Sequence, residues 1–119
     1  MSIDALIRSA LIGFGDPVEN GVSLADVPRY YVFNYTTIPI DFGDDTPQHD
    51  RYLVQVHLFA PLTENITARK RETKRALYRA GFTWPSTEDA SDSGSRHIVF
   101  ECEIAEGVDV DGDDDNDGA

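Results

Sequence analysis

The amino-acid sequence predicts an α+β fold: a mixed, largely antiparallel sheet with helices packed on it as a single pair of layers, in the order α-β-β-α-β. Three observations carry that prediction. Two segments repeat apolar residues at three- and four-residue steps, the period of an amphipathic helix. Three others are rich in aromatic and β-branched residues or alternate in polarity, as strands do. The 119 residues are 40% hydrophobic, enough for one domain with its own core, and no intrachain disulfide is possible because Cys102 is the only cysteine.

The first helix rests on Ile3, Leu6, Ile7, Ala10, Leu11 and Phe14. Ser2 suits its N-cap, Asp4 its first turn, and Gly13 or Gly15 its end. Gly15-Asp16-Pro17 and Asn20-Gly21 then predict a turn-rich connection. Residues 29–37, RYYVFNYTT, predict a strand, and residues 38–50, IPIDFGDDTPQHD, a long polar loop around Phe42. In the second strand, 51–61, Tyr52, Val54, Val56 and Leu58 face one way and Leu53, Gln55, His57 and Phe59 the other. Both faces are therefore expected to be partly covered.

Residues 63–81 predict the second helix, with Ile66, Thr73, Leu77 and Ala80 on one side. Gly81 is its expected C-cap, with Phe82 packing back on the last turn. Residues 83–95 read as a polar loop or short edge strand carrying Trp84. The last strand, 96–104, turns Ile98, Phe100, Cys102 and Ile104 inward and Val99, Glu101 and Glu103 outward. The two glutamates then mark a solvated or interface face.

Net charge is −12, from twenty-two acidic and ten basic residues. Fifteen of the acids are Asp, and only two of the bases are Lys. Acid excess with little lysine is the composition of a salt-adapted host, where molar salt screens self-repulsion within roughly 3 Å. Residues 109–119, DVDGDDDNDGA, hold six Asp and no base. The expected division is a folded domain over 1–107 and an acidic tail over 108–119. Asp113, Asp115, Asp117 and Gly118 match the opening of a calcium loop, but the bidentate carboxylate that closes one has no position before Ala119. Nothing apolar follows Val110, so the tail is expected to lie against another chain, held by cations, backbone hydrogen bonds or basic side chains.

No constellation in the sequence suggests catalysis. Cys102 lies on the inward side of a strand, where a thiol is inert packing. His49, His57 and His97 form no helical metal-ligand pair, and Gly13-x-Gly15 lacks the third glycine and preceding strand of a dinucleotide fingerprint. The expectation is a soluble, non-enzymatic protein of the cell interior, without cofactor or metal. The sharper feature is basic. Arg69, Lys70, Arg71, Lys74, Arg75 and Arg79 are six of the ten bases, opposed within that stretch only by Glu72. A nucleic-acid helix has this composition. The negative total, and the lack of interleaved aromatics other than Tyr78, favour a solvated face or an acidic protein surface, that of a partner or a second copy.

The order of a short amphipathic helix, GDPV before the aromatic strand PRYYVFNY, the strand RYLVQVHLFAP, a helix ending ALYRAGFTWP and the strand RHIVFECEI resembles the tail-terminator (tail-completion) proteins of long-tailed viruses of bacteria and archaea. The resemblance spans residues 3 to about 107 and leaves out the acidic tail. It implies a structural virion protein in the tail or neck region, assembled in the host cytoplasm. Such a protein forms a ring, usually hexameric, that caps the tail tube, ends its polymerisation and receives the head connector. The implied partners are further copies of itself, the tail tube protein and the head–tail connector or neck proteins. Viral DNA passes through without specific binding, and no membrane or catalytic residue is implied. Expected contact residues are Arg69, Lys70, Arg71, Lys74 and Arg75 of the helix, Asp41, Phe42, Asp44 and Asp45 of the loop, Trp84, and Asp111, Asp113 and Asp115 of the tail. A head-closure or neck adaptor is the alternative within virion proteins. An acidic DNA-mimic inhibitor is the alternative from another class, weakened by the basic helix and by the concentration of half the net charge in eleven residues.

Overall fold

The computed structural model describes residues 2–22, 26–43 and 46–105, with the backbone alone at 40–43 and 46–49. The chain opens with helix α1 (Ile3–Leu11), whose first turn is capped by Ser2: its hydroxyl oxygen accepts from the Ala5 N–H at 3.1 Å. Asp4 sits in that turn and pairs with Arg8 one turn on. Ile3, Ile7 and Leu11 are buried. The helix tightens into a 3-10 turn over Ile12–Phe14 and stops at Gly15, whose φ of 84° is open to glycine at little cost.

Five strands follow: β1 (Val18–Asn20), β2 (Tyr30–Gly43), β3 (Thr46–Ala60), β4 (Ser86–Asp89) and β5 (Arg96–Ala105). Helix α2 (Thr67–Arg79) lies between β3 and β4 in the chain. The sheet order is β1-β2-β3-β5-β4, antiparallel except for β1, which runs parallel to β2. The architecture is α+β with two helices on a five-stranded mixed sheet, and the expected order α-β-β-α-β is short by two strands.

Both omissions have a local cause. β1 has three residues, too few to show a period, and backbone bonds define it. The Tyr31 N–H donates to the Pro17 carbonyl and the Gly21 N–H to the Phe33 carbonyl, both at 2.8 Å. β4, STED, absent from the expected order, is the short edge strand that residues 83–95 allow as one of two readings; it is polar and held by its ladder with β5.

The expected loop over 38–50 is instead a continuation of the β2–β3 hairpin, with Ile40 opposite His49, Phe42 opposite Pro47 and Gly43 opposite Thr46. Ile38, Ile40 and Phe42 alternate as a strand should, but Pro39 and the aspartates mask the pattern. Pro39 is tolerated because β1 reaches only as far as Phe33, so β2 is an edge strand at that point.

One sheet face carries the core. Tyr31 and Phe33 of β2, Val54, Val56 and Leu58 of β3, and Ile98, Phe100, Cys102 and Ile104 of β5 join Ile3, Ile7 and Leu11 of α1, Ile66 just before α2, and Leu77 within it. Among these, Tyr31, Phe33, Val56, Leu58, Leu77 and Phe100 have no exposed surface. The inward set expected for β5 is the set observed, and Cys102 is packing. Its thiol, pushed up to about 12 by burial, stays protonated at neutral pH. Gly81 ends α2 with φ 112°, and the Phe82 N–H reaches back to the Leu77 carbonyl while its ring is buried.

Beyond Arg51 the hairpin has no third strand among the described residues, where β5 pairs with β3 over residues 51–60. It forms a two-stranded arm. The radius of gyration, 15.4 Å, exceeds the roughly 13.5 Å of a compact domain of this length, and the longest dimension is 54 Å against 25 and 23 Å.

Candidate interaction surfaces

Helix α2 has two unlike faces. On the inner one Thr73 is fully buried: its hydroxyl donates to the Arg69 carbonyl at 2.7 Å and accepts from the Tyr31 hydroxyl at 2.7 Å. Arg69 also turns inward. Its guanidinium pairs with Asp16 and sits 4.8 Å from the centroid of the Phe14 ring. Asp16 accepts from Arg29 as well, and Arg29 reaches Glu64. Four segments are thereby tied together: the turn after α1, the start of β2, the β3–α2 loop and α2. Arg69, expected as a contact residue, belongs to this internal network and lies apart from the other bases.

The outer face carries Lys70, Arg71, Lys74, Arg75 and Arg79. Arg71, Arg75 and Arg79 are exposed and make no ion pair among the described residues. They recur every fourth residue and form one stripe. Beside it lie two exposed aromatic rings, Tyr78 and Trp84, in an edge-to-face pair 5.5 Å apart. The Lys74 ammonium stands 5.8 Å from the Trp84 ring. The structure thus joins Trp84 to the basic helix, which the sequence placed on separate elements, and adds Tyr78. The connection is made by two bonds to β5: the Thr83 N–H donates to the Glu103 carbonyl at 2.9 Å, and the Glu103 N–H to the Thr83 hydroxyl at 3.0 Å.

The arm holds a second group of expected residues. Asp41 and Phe42 lie in its β2 strand. Asp44, Asp45, Asp111, Asp113 and Asp115 lie outside the described residues. Four Asp and no base occur over residues 41–50, so the arm is acidic where α2 is basic.

The sheet face opposite the helices is the third surface. Tyr30 stacks on Phe59 at 4.9 Å, and Phe59 on His97 at 4.2 Å. His97 Nε2 lies 2.8 Å from His57 Nδ1, one ring donating to the other. Burial lowers the pKa of both imidazoles; for His57 the neighbouring His97 adds to the effect, while Glu101 opposes it. These rings shield Val32 and Val99, which are buried although no helix covers them. The face was expected to be partly covered, and its own side chains supply that cover. A shallow depression of ≈ 360 Å³ is lined by Val22, Tyr30, Asn34, His57, Phe59 and His97. Sequence reading put His57 and Phe59 on one face of the strand, opposite Val54, Val56 and Leu58, but did not pair His57 with His97. The signal was the shared outward parity with Phe59, which the strand register places opposite His97.

Among the described residues no cluster of three or more His, Cys, Asp or Glu side chains is arranged to hold a metal ion, and no helix is long and apolar enough to cross a membrane. No family model and no curated protein matches the chain. A solved structure with 11% sequence identity is similar over 85% of this chain and 90% of that one, with a TM-score of 0.58. At that identity the likeness concerns the fold alone.

Proposed function

We propose that this chain is the repeating subunit of a ring in a viral tail, where it caps the tail tube, stops its growth and receives the head connector. The observation that carries the reading is the acidic two-stranded arm on a body whose helix α2 presents Arg71, Arg75 and Arg79 without an ion pair among the described residues. A lone two-stranded ribbon is marginally stable in water and gains most when a neighbour packs on it. Its Asp residues and two prolines are the features that keep exposed edges from pairing with each other. The arm therefore suits a different surface on the next copy, and the stripe Arg71, Arg75 and Arg79 has the complementary charge. Contacts between unlike surfaces of identical subunits close into rings when the rotation permits. An acidic arm near the conduit also repels passing phosphate. The family resemblance supplies the viral context.

A charge swap tests the contact. R71E/R75E/R79E should abolish self-association in light scattering while leaving the circular dichroism unchanged. Adding D41K/D44K/D45K to the same chain should restore it at least in part. Full assembly by the triple arginine variant overturns the arm-to-helix contact.

A further inference from the structure

We propose that the free chain binds single-stranded nucleic acid across the Tyr78–Trp84 pair, with phosphates on Arg71, Arg75 and Arg79 and a base stacked on Trp84. The binding belongs to the single subunit and does not depend on ring formation.

Cations and exposed rings share one patch. Arg71, Arg75 and Arg79 are exposed, and Glu72, the one acid of α2, makes no ion pair with them. Lys74 and Tyr78 form the next row of the helix, three residues on from Arg71 and Arg75. Tyr78 is 57% exposed and Trp84 52%, which leaves ring surface free for stacking. Proteins that hold a single strand combine these two features: cations track the backbone and aromatic rings receive the bases. Along the chain the bases lack an interleaved aromatic apart from Tyr78. The fold supplies one, by seating Trp84 beside Lys74 and Tyr78.

The surface beyond Trp84 selects the ligand. Trp84 also borders a depression of ≈ 620 Å³ on the sheet face opposite the helices, with Asn34, Gln55, Ser86, Glu101 and Glu103 in its lining. Glu101 accepts from Gln55 Nε2 at 2.8 Å, and a carboxylate has lone pairs for further donors. The surface thus changes from basic to acidic across one indole ring. An acidic protein broad enough to cover both sides would set its carboxylates against Glu101 and Glu103. A nucleotide has the matching division: phosphate on one side, and on the other a neutral base whose amino group donates to a carboxylate, as cytosine N4 does.

The three arginines extend over about 12 Å of helix axis, more than a single phosphate meets, so the ligand is a strand of several nucleotides. In a duplex the bases are stacked inside and do not reach the ring. The net charge of −12 opposes approach, but charges more than about 10 Å away are largely screened at 0.1 M salt. The arm of a neighbouring copy, in the contact proposed above, claims the same arginines. Strand and neighbour therefore compete, and assembly would release the strand.

The probe is an oligodeoxycytidine of about twelve nucleotides, titrated where light scattering shows a monomer. Trp84 is the sole tryptophan, so its fluorescence reports stacking directly. Quenching should saturate, and affinity should fall with salt at a log–log slope of about −2, the value for three phosphates on a single strand. R71Q/R75Q/R79Q should remove most of that slope. Followed by anisotropy of a labelled strand, W84A should weaken binding roughly tenfold with the slope unchanged, and W84F should recover most of the loss. Absence of binding at low salt, or affinity indifferent to W84A, overturns the inference. Equal quenching by a duplex of the same length, or equal affinity for cytidine monophosphate, overturns the extended single strand as ligand. Polyglutamate of matched length binding as tightly makes the patch an acidic-protein surface and overturns the nucleotide reading.

Discussion

At the scale of single residues, Thr73 and Tyr31 link α2 to the sheet by hydroxyls with no exposure to water. Burial pushes the Tyr31 hydroxyl above its ordinary pKa, with the bond to Thr73 opposing the shift, so it remains a donor. In Thr73→Val the hydroxyl of Tyr31 is left without its acceptor inside the core, a loss of about 1–3 kcal/mol. Tyr31→Phe should cost less, about 0.5–1.5 kcal/mol, because Thr73 keeps its bond to the Arg69 carbonyl. Urea unfolding of the two variants checks the order.

The His57–His97 pair makes a second prediction. Unfolded histidines titrate near about pH 6.5, whereas burial lowers both groups in the folded chain, with His97 adding to the effect at His57. The unfolded state thus binds more protons as pH falls, so the pair's stabilising contribution is present above about pH 6.5 and is lost below it. Asp89 and Asp92 face His97 and Glu101 faces His57, moderating the effect without reversing it. Stability measured between about pH 7 and 5 should fall more steeply in wild type than in H57F/H97F.

At the scale of elements, α2 separates structural from surface basic residues. Arg69 and Asp16 are mostly buried, with 19% and 11% of their side chains exposed. Arg69→Glu sets two acids together beneath Phe14 and should cost about 3 kcal/mol or more. Arg71→Glu, on the open stripe, should stay within about 0.5 kcal/mol of wild type. Thermal melts of the two variants, run side by side, check the contrast.

The same helix shows what was legible in the sequence. Its apolar side, its Gly81 stop and the return of Phe82 follow from a 3.6-residue period and one glycine. The inward turn of Arg69 does not, because its partner Asp16 lies fifty-three residues away. The strands divide similarly. β5 shows its inward face through clean alternation, whereas β1 and β4 are short or polar and exist through backbone ladders to their neighbours. The arm was hidden by Pro39 and its aspartates, residues that signal loops in isolation and guarded edges in a sheet. The candidate surfaces were legible residue by residue but not as patches. Lys74, Tyr78 and Trp84 meet only because Thr83 is bonded to β5.

At the scale of the whole molecule, the charge is sorted by element: acid on the arm and in residues 106–119, base on one side of α2. Such sorting makes self-association a question of salt. The proposed attraction between arm and helix would weaken as salt rises, while general repulsion between chains of net charge −12 weakens too. If apolar burial adds to the contact, rings should survive molar salt; charge pairing alone would be lost. The most direct measurement of the ring claim is negative-stain electron microscopy of the purified chain at high concentration, with and without tail tubes and across a salt series, alongside light scattering. The account predicts closed rings with a central hole, seated at tube ends when tubes are present. A strict monomer under every one of these conditions would contradict it.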